Sequence, residues 1–191
     1  MHPLLPCRLA LLALLAALAG CAGGAAGSLA GAALELVGIR KPVEVPDAQK
    51  PPRHVAIKLY AGANLNSDAG GQPLALVARI YKLRQTAAFE QAPYDSFLSA
   101  QRERELLGAD LLEVKEVLLV PGQRYEVLEK VSKEASFIGI VALFRAPAAQ
   151  RWRLAFGAAE AEQSGITVGV NACALSVGAG SAGGGATVRC R

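Results

Sequence analysis

The sequence predicts a mainly β protein: a β-sandwich of about seven to eight short strands with one short helical insertion. Three observations carry this expectation. Apolar and polar residues alternate with period two in several stretches between residues 53 and 170. Turn formers interrupt those stretches at short intervals, as they do between the strands of a sandwich. Only residues 86–107 change to a helical period, with Thr86 as a candidate cap and Pro93 inside the stretch.

Ahead of the domain, Arg8 is followed by an unbroken apolar run over residues 9–19. A bilayer span needs about 20 apolar residues, so the run is too short to cross. A basic start, an apolar middle and small residues at the end suit a signal peptide. The run closes on Leu18-Ala19-Gly20-Cys21. Leucine three before a cysteine and small residues directly before it form a lipid-modification box, whose thiol becomes a thioether to diacylglycerol. Residues 1–20 are therefore expected to be removed and Cys21 to carry lipid. Ala22 follows where an acidic residue would signal inner-membrane retention, so the expected location is the periplasmic face of the outer membrane.

Residues 21–52 read as a tether. Its first part is rich in Gly, Ala and Ser, and its second carries Pro42, Pro46, Pro51 and Pro52. As a coil, about 31 residues span roughly 30 Å. Residues 34–39 are apolar enough for a short strand or a docking patch, and the sequence does not choose between them.

The sandwich domain is expected over residues 53–191. Val55, Ile57 and Leu59 alternate with Ala56, Lys58 and Tyr60 in a half-buried strand. A loop rich in Gly, Asn and Asp follows, as far as Pro73. Residues 74–83 form a second strand, with Leu76, Ala78 and Ile80 on one face. Tyr94, Phe97 and Leu98 recur at helical spacing, and residues 101–107 read as a surface helix. Residues 112–120 and 124–131 flank Pro121-Gly122, a strong turn signal, and predict a hairpin. Residues 137–144 are apolar on both faces, as in a central strand. Ala146-Pro147 breaks that run. Trp152, Leu154 and Phe156 alternate in a further strand, and Ile166, Val168 and Val170 open a last hairpin ending near Val188.

The formal charge is +4, with Lys and Arg interspersed among Asp and Glu, so no nucleic-acid stripe is present. Of four cysteines, Cys7 leaves with the signal and Cys21 takes lipid. Cys173 and Cys190 remain, and in an oxidising compartment they most simply form one disulfide, the alternative being two free buried thiols. The bridge would close a loop of about 16 residues and contribute about 3 kcal/mol.

Donors for chemistry are few. The mature chain holds one histidine, His54, which leaves no base for a serine or cysteine nucleophile. Cys173 and Cys190 lack the partners of a zinc site, and neither Gly-rich segment leads into a phosphate-binding helix. Glu103, Glu105, Asp110, Glu113 and Glu116 could pair for glycoside hydrolysis. They alternate with Arg102, Arg104 and Lys115, so a solvated charged face is the better reading. No enzyme, metal or cofactor other than the lipid is expected. What remains is surface: Asn64-Leu65-Asn66-Ser67-Asp68, donors and acceptors around an exposed leucine, is either a recognition loop or a plain connection.

Several stretches together carry a resemblance. They are Asn64-Leu65-Asn66, Gly71-Gln72-Pro73-Leu74, Val77-Ala78-Arg79-Ile80-Tyr81-Lys82-Leu83, Ala88-Phe89 before Tyr94 and Phe97, and residues 118–122. Ile138-Gly139-Ile140-Val141-Ala142-Leu143-Phe144-Arg145 and Trp152-Arg153 complete the series. In this order, with the lipid box, the chain resembles the TssJ (SciN) family of type VI secretion outer-membrane lipoproteins over about residues 53–156. The resemblance implies a transthyretin-like sandwich that anchors the periplasmic part of TssM, an inner-membrane protein, within a membrane complex. It also implies that the first inter-strand loop contributes to that contact: Asn64, Leu65, Asn66, Ser67, Asp68, Ala69, Gly70, Gly71 and Gln72. The long tether and the Cys-bearing C-terminal hairpin depart from the family pattern. The alternative is a periplasmic small-ligand or glycan-binding lipoprotein, which would need an aromatic-lined cleft around the sole tryptophan, Trp152.

Overall fold

A computed structural model describes residues 44–178 and Cys190. Cys21, residues 34–39 and the strand end expected near Val188 lie outside the described residues. The strands are β1 (Arg53–Ala61), β2 (Leu76–Leu83), β3 (Leu111–Leu119), β4 (Arg124–Val131), β5 (Phe137–Ala142), β6 (Arg153–Gly157), β7 (Ile166–Val170) and β8 (Leu175–Val177). The helices are α1 (Ala87–Gln91), α2 (Ala100–Leu107) and α3 (Ala158–Ser164), with a 3-10 turn at Tyr94–Leu98. Two four-stranded sheets result, ordered β4-β1-β7-β8 and β3-β2-β5-β6. The β1–β7 pair is parallel, and the other neighbours are antiparallel.

Alternation sets the core as expected. Val55, Ile57 and Leu59 of β1 are fully buried, and Leu76, Ala78 and Ile80 of β2 join the same cluster. The hairpin expected across Pro121-Gly122 does not form. The turn is there, with Gly122 at φ 76, but β3 pairs with β2 while β4 pairs with β1. The chain therefore passes from one sheet to the other. Val117 and Leu119 on β3 and Val131 on β4 belong to the one core, and Val127 on β4 packs against it. A hairpin and a sheet-to-sheet crossing share the same alternation, so periodicity cannot separate them.

The second sheet is covered on its outer face as well. There the helical insertion presses Phe89 and Phe97 onto Tyr81, with ring centroids 5.4 and 5.8 Å away. Gly139 lies opposite Tyr81 on β5, and a Cβ at that position would come within 2.6 Å of the Phe89 ring. The glycine is what lets the phenyl ring lie on the sheet. Arg153 fastens α1 by donating to the carbonyls of Phe89, Glu90 and Ala92, groups a helix C-terminus leaves unpaired. β5 is thus buried on both faces, as its sequence predicts.

The charged stretch that follows is not wholly solvated. Glu103 on α2 is only 4% exposed and pairs with Arg79, which also binds Glu116. Sequence spacing predicts a surface helix, but that helix needs one inward carboxylate because Arg79 points out of the sheet beneath it. Glu105 stays exposed and takes a hydrogen bond from Gln101. A second ionic group links the two sheets. Lys82 lies 2.8 Å from Glu113 and 3.4 Å from Glu129, and Lys115 lies 2.5 Å from Glu129. Burial opposes ionisation of Glu129, but the hydrogen bonds and charges of Lys115 and Lys82 outweigh it and hold its pKa low. Helix α3 has no counterpart among the sequence expectations. Its AAEAEQS composition favours helix, and Ala158 and Ala161 bury a small face against the core.

Candidate functional site

The loop between β1 and β2 emerges where Ala61 leaves the sheet. Its base is tied on several sides. Gly62 N–H donates to Val170 O at 2.8 Å, and Asn66 N–H to Asn171 O at 3.2 Å. Gly122 N–H donates to Gly62 O, which attaches the β3–β4 turn to the same base. A Cβ at position 62 would meet the Asn64 and Asn171 side chains below 3.0 Å. Any larger residue there would have to displace those two side chains, at the point where three loops converge.

Asn66 is the keystone of this base. It is 7% exposed and adopts φ 47, a left-handed conformation that asparagine tolerates better than most residues. Its Nδ2 donates to Ala75 O at 3.0 Å, and its Oδ1 accepts from Arg145 N–H at 2.8 Å. Leu65 is fully buried and belongs to the core cluster. The exposed leucine expected at the centre of the loop is therefore corrected. An apolar side chain at the mouth of a sandwich gains more by entering the core than by facing water.

Beyond this base the loop forms a tight crest. Asp68 Oδ1 accepts from the amides of Gly70 and Gln72 at 2.8 and 2.9 Å, and Gly71 turns with φ 78. Ser67 donates to Asn64 O. Leu74 N–H donates to Leu65 O, and the Leu74 side chain is 39% exposed. Of the nine residues named from sequence, Asn64, Ala69, Gly70, Gly71 and Gln72 are exposed, and Ser67 and Asp68 half-buried. Leu65 and Asn66 serve as anchors. Leu74, Asn171 and Arg145 take part although the sequence does not single them out as site residues. Leu74 and Arg145 fall within stretches that carry the family resemblance, and nothing in the sequence marks Asn171.

Other chemistry finds little support in the geometry. His54 is exposed at the start of β1. Among the described residues no cluster of His, Cys, Asp or Glu could hold a metal ion. Trp152 does not line a cleft: it is 6% exposed and packs edge-on against Tyr94 and Phe97. Tyr94 donates to Phe144 O, and burial pushes its pKa up to about 12. One shallow depression lies over Ala56, Lys58, Glu126 and Leu128, with a volume of 260 Å³ and no aromatic side chain in its wall. Cys173 and Cys190 are joined by a disulfide, with Cα atoms 5.6 Å apart.

A family profile described as type VI secretion lipoprotein, VasD, EvfM, TssJ matches residues 53–173, from the first residue of β1 to the disulfide cysteine. The chain belongs to the type VI secretion lipoprotein family. Solved structures agree. A chain described as the type VI secretion lipoprotein TssJ1 from Pseudomonas aeruginosa is 29% identical, with a TM-score of 0.58 over 69% of this chain and 99% of that one. A chain of a type VI membrane complex is 27% identical, with a TM-score of 0.60 over 66% and 98%. Another, in a structure described as the C-terminal domain of the T6SS protein TssM from EAEC, is 27% identical with a TM-score of 0.56 over 65% and 97%. Searching curated proteins by sequence finds no match. Known members of this family are structural lipoproteins of the secretion system. The β8 strand and Cys190 lie beyond the matched residues.

Proposed function

We propose that this chain is a lipid-anchored protein of the outer membrane. From the periplasmic face it docks the periplasmic part of the inner-membrane protein TssM, within the type VI secretion membrane complex. It acts as a scaffold rather than an enzyme. The observation that carries the reading is the loop over residues 62–75, a crest of exposed small and polar residues on a fixed base. Such a loop presents a preformed surface, which lowers the ordering cost of association. Solved structures described by the membrane complex and by TssM, each with a chain of this fold, support the same partner.

Residues 1–20 would be the signal peptide, and residues 21–52 the tether between Cys21 and the domain. Three acyl chains on Cys21 would hold the protein far more firmly than the marginal binding of a single chain. Removing the whole loop is not a clean test, because Leu65 and Asn66 belong to the core and base. The crest can be changed alone, with Ala69→Arg and Gln72→Arg together. These exposed changes should leave the melting temperature within about 1 °C and weaken binding to the TssM periplasmic segment at least tenfold, a difference of about 1.4 kcal/mol. Unchanged affinity would move the interface elsewhere. Cys21→Ser should release the protein from membranes and stop secretion. A variant that still sediments with membranes and supports secretion would end the anchoring argument.

A further inference from the structure

One feature of this chain lies against the candidate docking loop without being part of it. The β7–β8 connection, residues 171–174, supplies the carbonyl of Asn171 to Asn66 N–H, and Val170 just before it supplies one to Gly62 N–H. The connection and the first residue of β8 also bind the 143–151 segment. Ala148 N–H donates to Cys173 O at 2.9 Å, and Leu175 N–H donates to Arg151 O at 2.7 Å. Arg145 in that segment in turn donates its N–H to Asn66 Oδ1. Two of the supports under Asn66 therefore run through the connection that carries Cys173.

This corner has little apolar burial of its own. Ala148, Cys173 and Ala174 form a separate cluster, three small side chains apart from the main core. Stabilisation by burial scales with apolar area, so three small residues contribute little beside the main core. The Cys173–Cys190 disulfide adds a covalent tie to the hydrogen bonds at this corner. A crosslink removes conformations from the open chain and so favours the ordered connection.

We propose that the Cys173–Cys190 disulfide favours the ordered state of the 62–75 loop, so that the chain docks more tightly when oxidised than when reduced. The reaction is thiol–disulfide exchange. A protein oxidant with a reactive disulfide accepts the two thiol protons and two electrons and leaves as a dithiol, while the two Sγ atoms join. The effect on affinity rests on the docking role proposed above; the effect on loop order does not.

The test uses the full mature chain in detergent, oxidised, reduced with a phosphine, and as Cys190→Ser. This variant keeps Cys173 in its buried place, so no hole is made. Backbone hydrogen exchange and affinity for the TssM periplasmic segment are both read. Loss of one net hydrogen bond under the loop corresponds to about a tenfold change. The amides of Gly62 and Asn66 should exchange about tenfold faster in the reduced protein and in Cys190→Ser, while those of Ile57 and Val127 stay protected. Affinity should fall by a similar factor, and the phosphine should add nothing to the variant. Unchanged exchange at Gly62 and Asn66 overturns the proposal. So does equal acceleration at Ile57 and Val127, which would mean loosening of the whole sandwich. Faster loop exchange with undiminished affinity removes the link to docking. Faster loop exchange in a protein that binds TssM in neither state upholds the coupling and overturns the docking role instead.

Discussion

Replacing Asn66 by alanine should be the most damaging change to a polar residue of the loop, although the residue is only 7% exposed. The substitution removes two side-chain hydrogen bonds, from Nδ2 to Ala75 O and from Arg145 N–H to Oδ1. Each bond is worth about 1 kcal/mol net, and stranding a buried partner costs more. Alanine must also adopt φ 47 in place of asparagine, a strain of about 1 kcal/mol. Together these give a loss of about 3 kcal/mol. At 2–4 °C per kcal/mol that lowers the melting temperature by roughly 10 °C. Urea unfolding of wild type, Asn66→Ala and Asn66→Gly separates the contributions. Glycine loses the same bonds without the strain and should be about 1 kcal/mol more stable than alanine. An alanine variant within about 0.5 kcal/mol of wild type would refute the keystone role. Alanine equal to glycine would refute the backbone part of it.

Two further outcomes follow from the packing and the ion pairs. Gly139→Ala should push Phe89 off the sheet and cost about 1–3 kcal/mol, the range for overpacking a well-filled site; a fluorescence-monitored denaturation of Trp152, which lies in the same aromatic cluster, reads it, and an unchanged midpoint would mean the ring can shift freely. Acidification gives the other. The pKa of Glu129 is lower in the folded state than in the unfolded chain. Its stabilisation is therefore complete above the ordinary carboxylate value and is lost as pH falls through the folded one. Glu129→Gln should flatten that acid-side decline in melting temperature, and an identical decline would show that other carboxylates carry it.

Strands that bury one face are legible because alternation records that directly, as with Val55, Ile57 and Leu59, and β5, buried on both faces, is legible as a continuous apolar run. What periodicity does not record is which strand lies beside which. The Pro121-Gly122 turn was visible, yet the chain crosses there between sheets, because β3 and β4 satisfy their edges with β2 and β1. Side chains that act singly were harder still. Glu103 reads as one charge among several in 101–107, and only the position of Arg79 under α2 reveals that it is buried. In the loop, the sequence reads Leu65 as exposed and Asn66 as one polar contact among several, whereas both are anchors. Composition marks such a loop as polar but does not say which two residues turn inward. Helix α3 leaves no periodic signal, because seven residues between two strands give too short a period to register.

The insertion over residues 84–110 also has a consequence for the unfinished chain. Residues 137–142 read Phe-Ile-Gly-Ile-Val-Ala, with no charge and no proline, a composition suited to stacking with copies of itself. In the finished fold this segment is walled on both sides, by the first sheet within and by Phe89 and its neighbours without. Until the insertion closes, one wall is missing. The helices on that face therefore act as a shutter over an adhesive strand, and changes that loosen it should appear first as aggregates rather than as soluble protein that fails to bind.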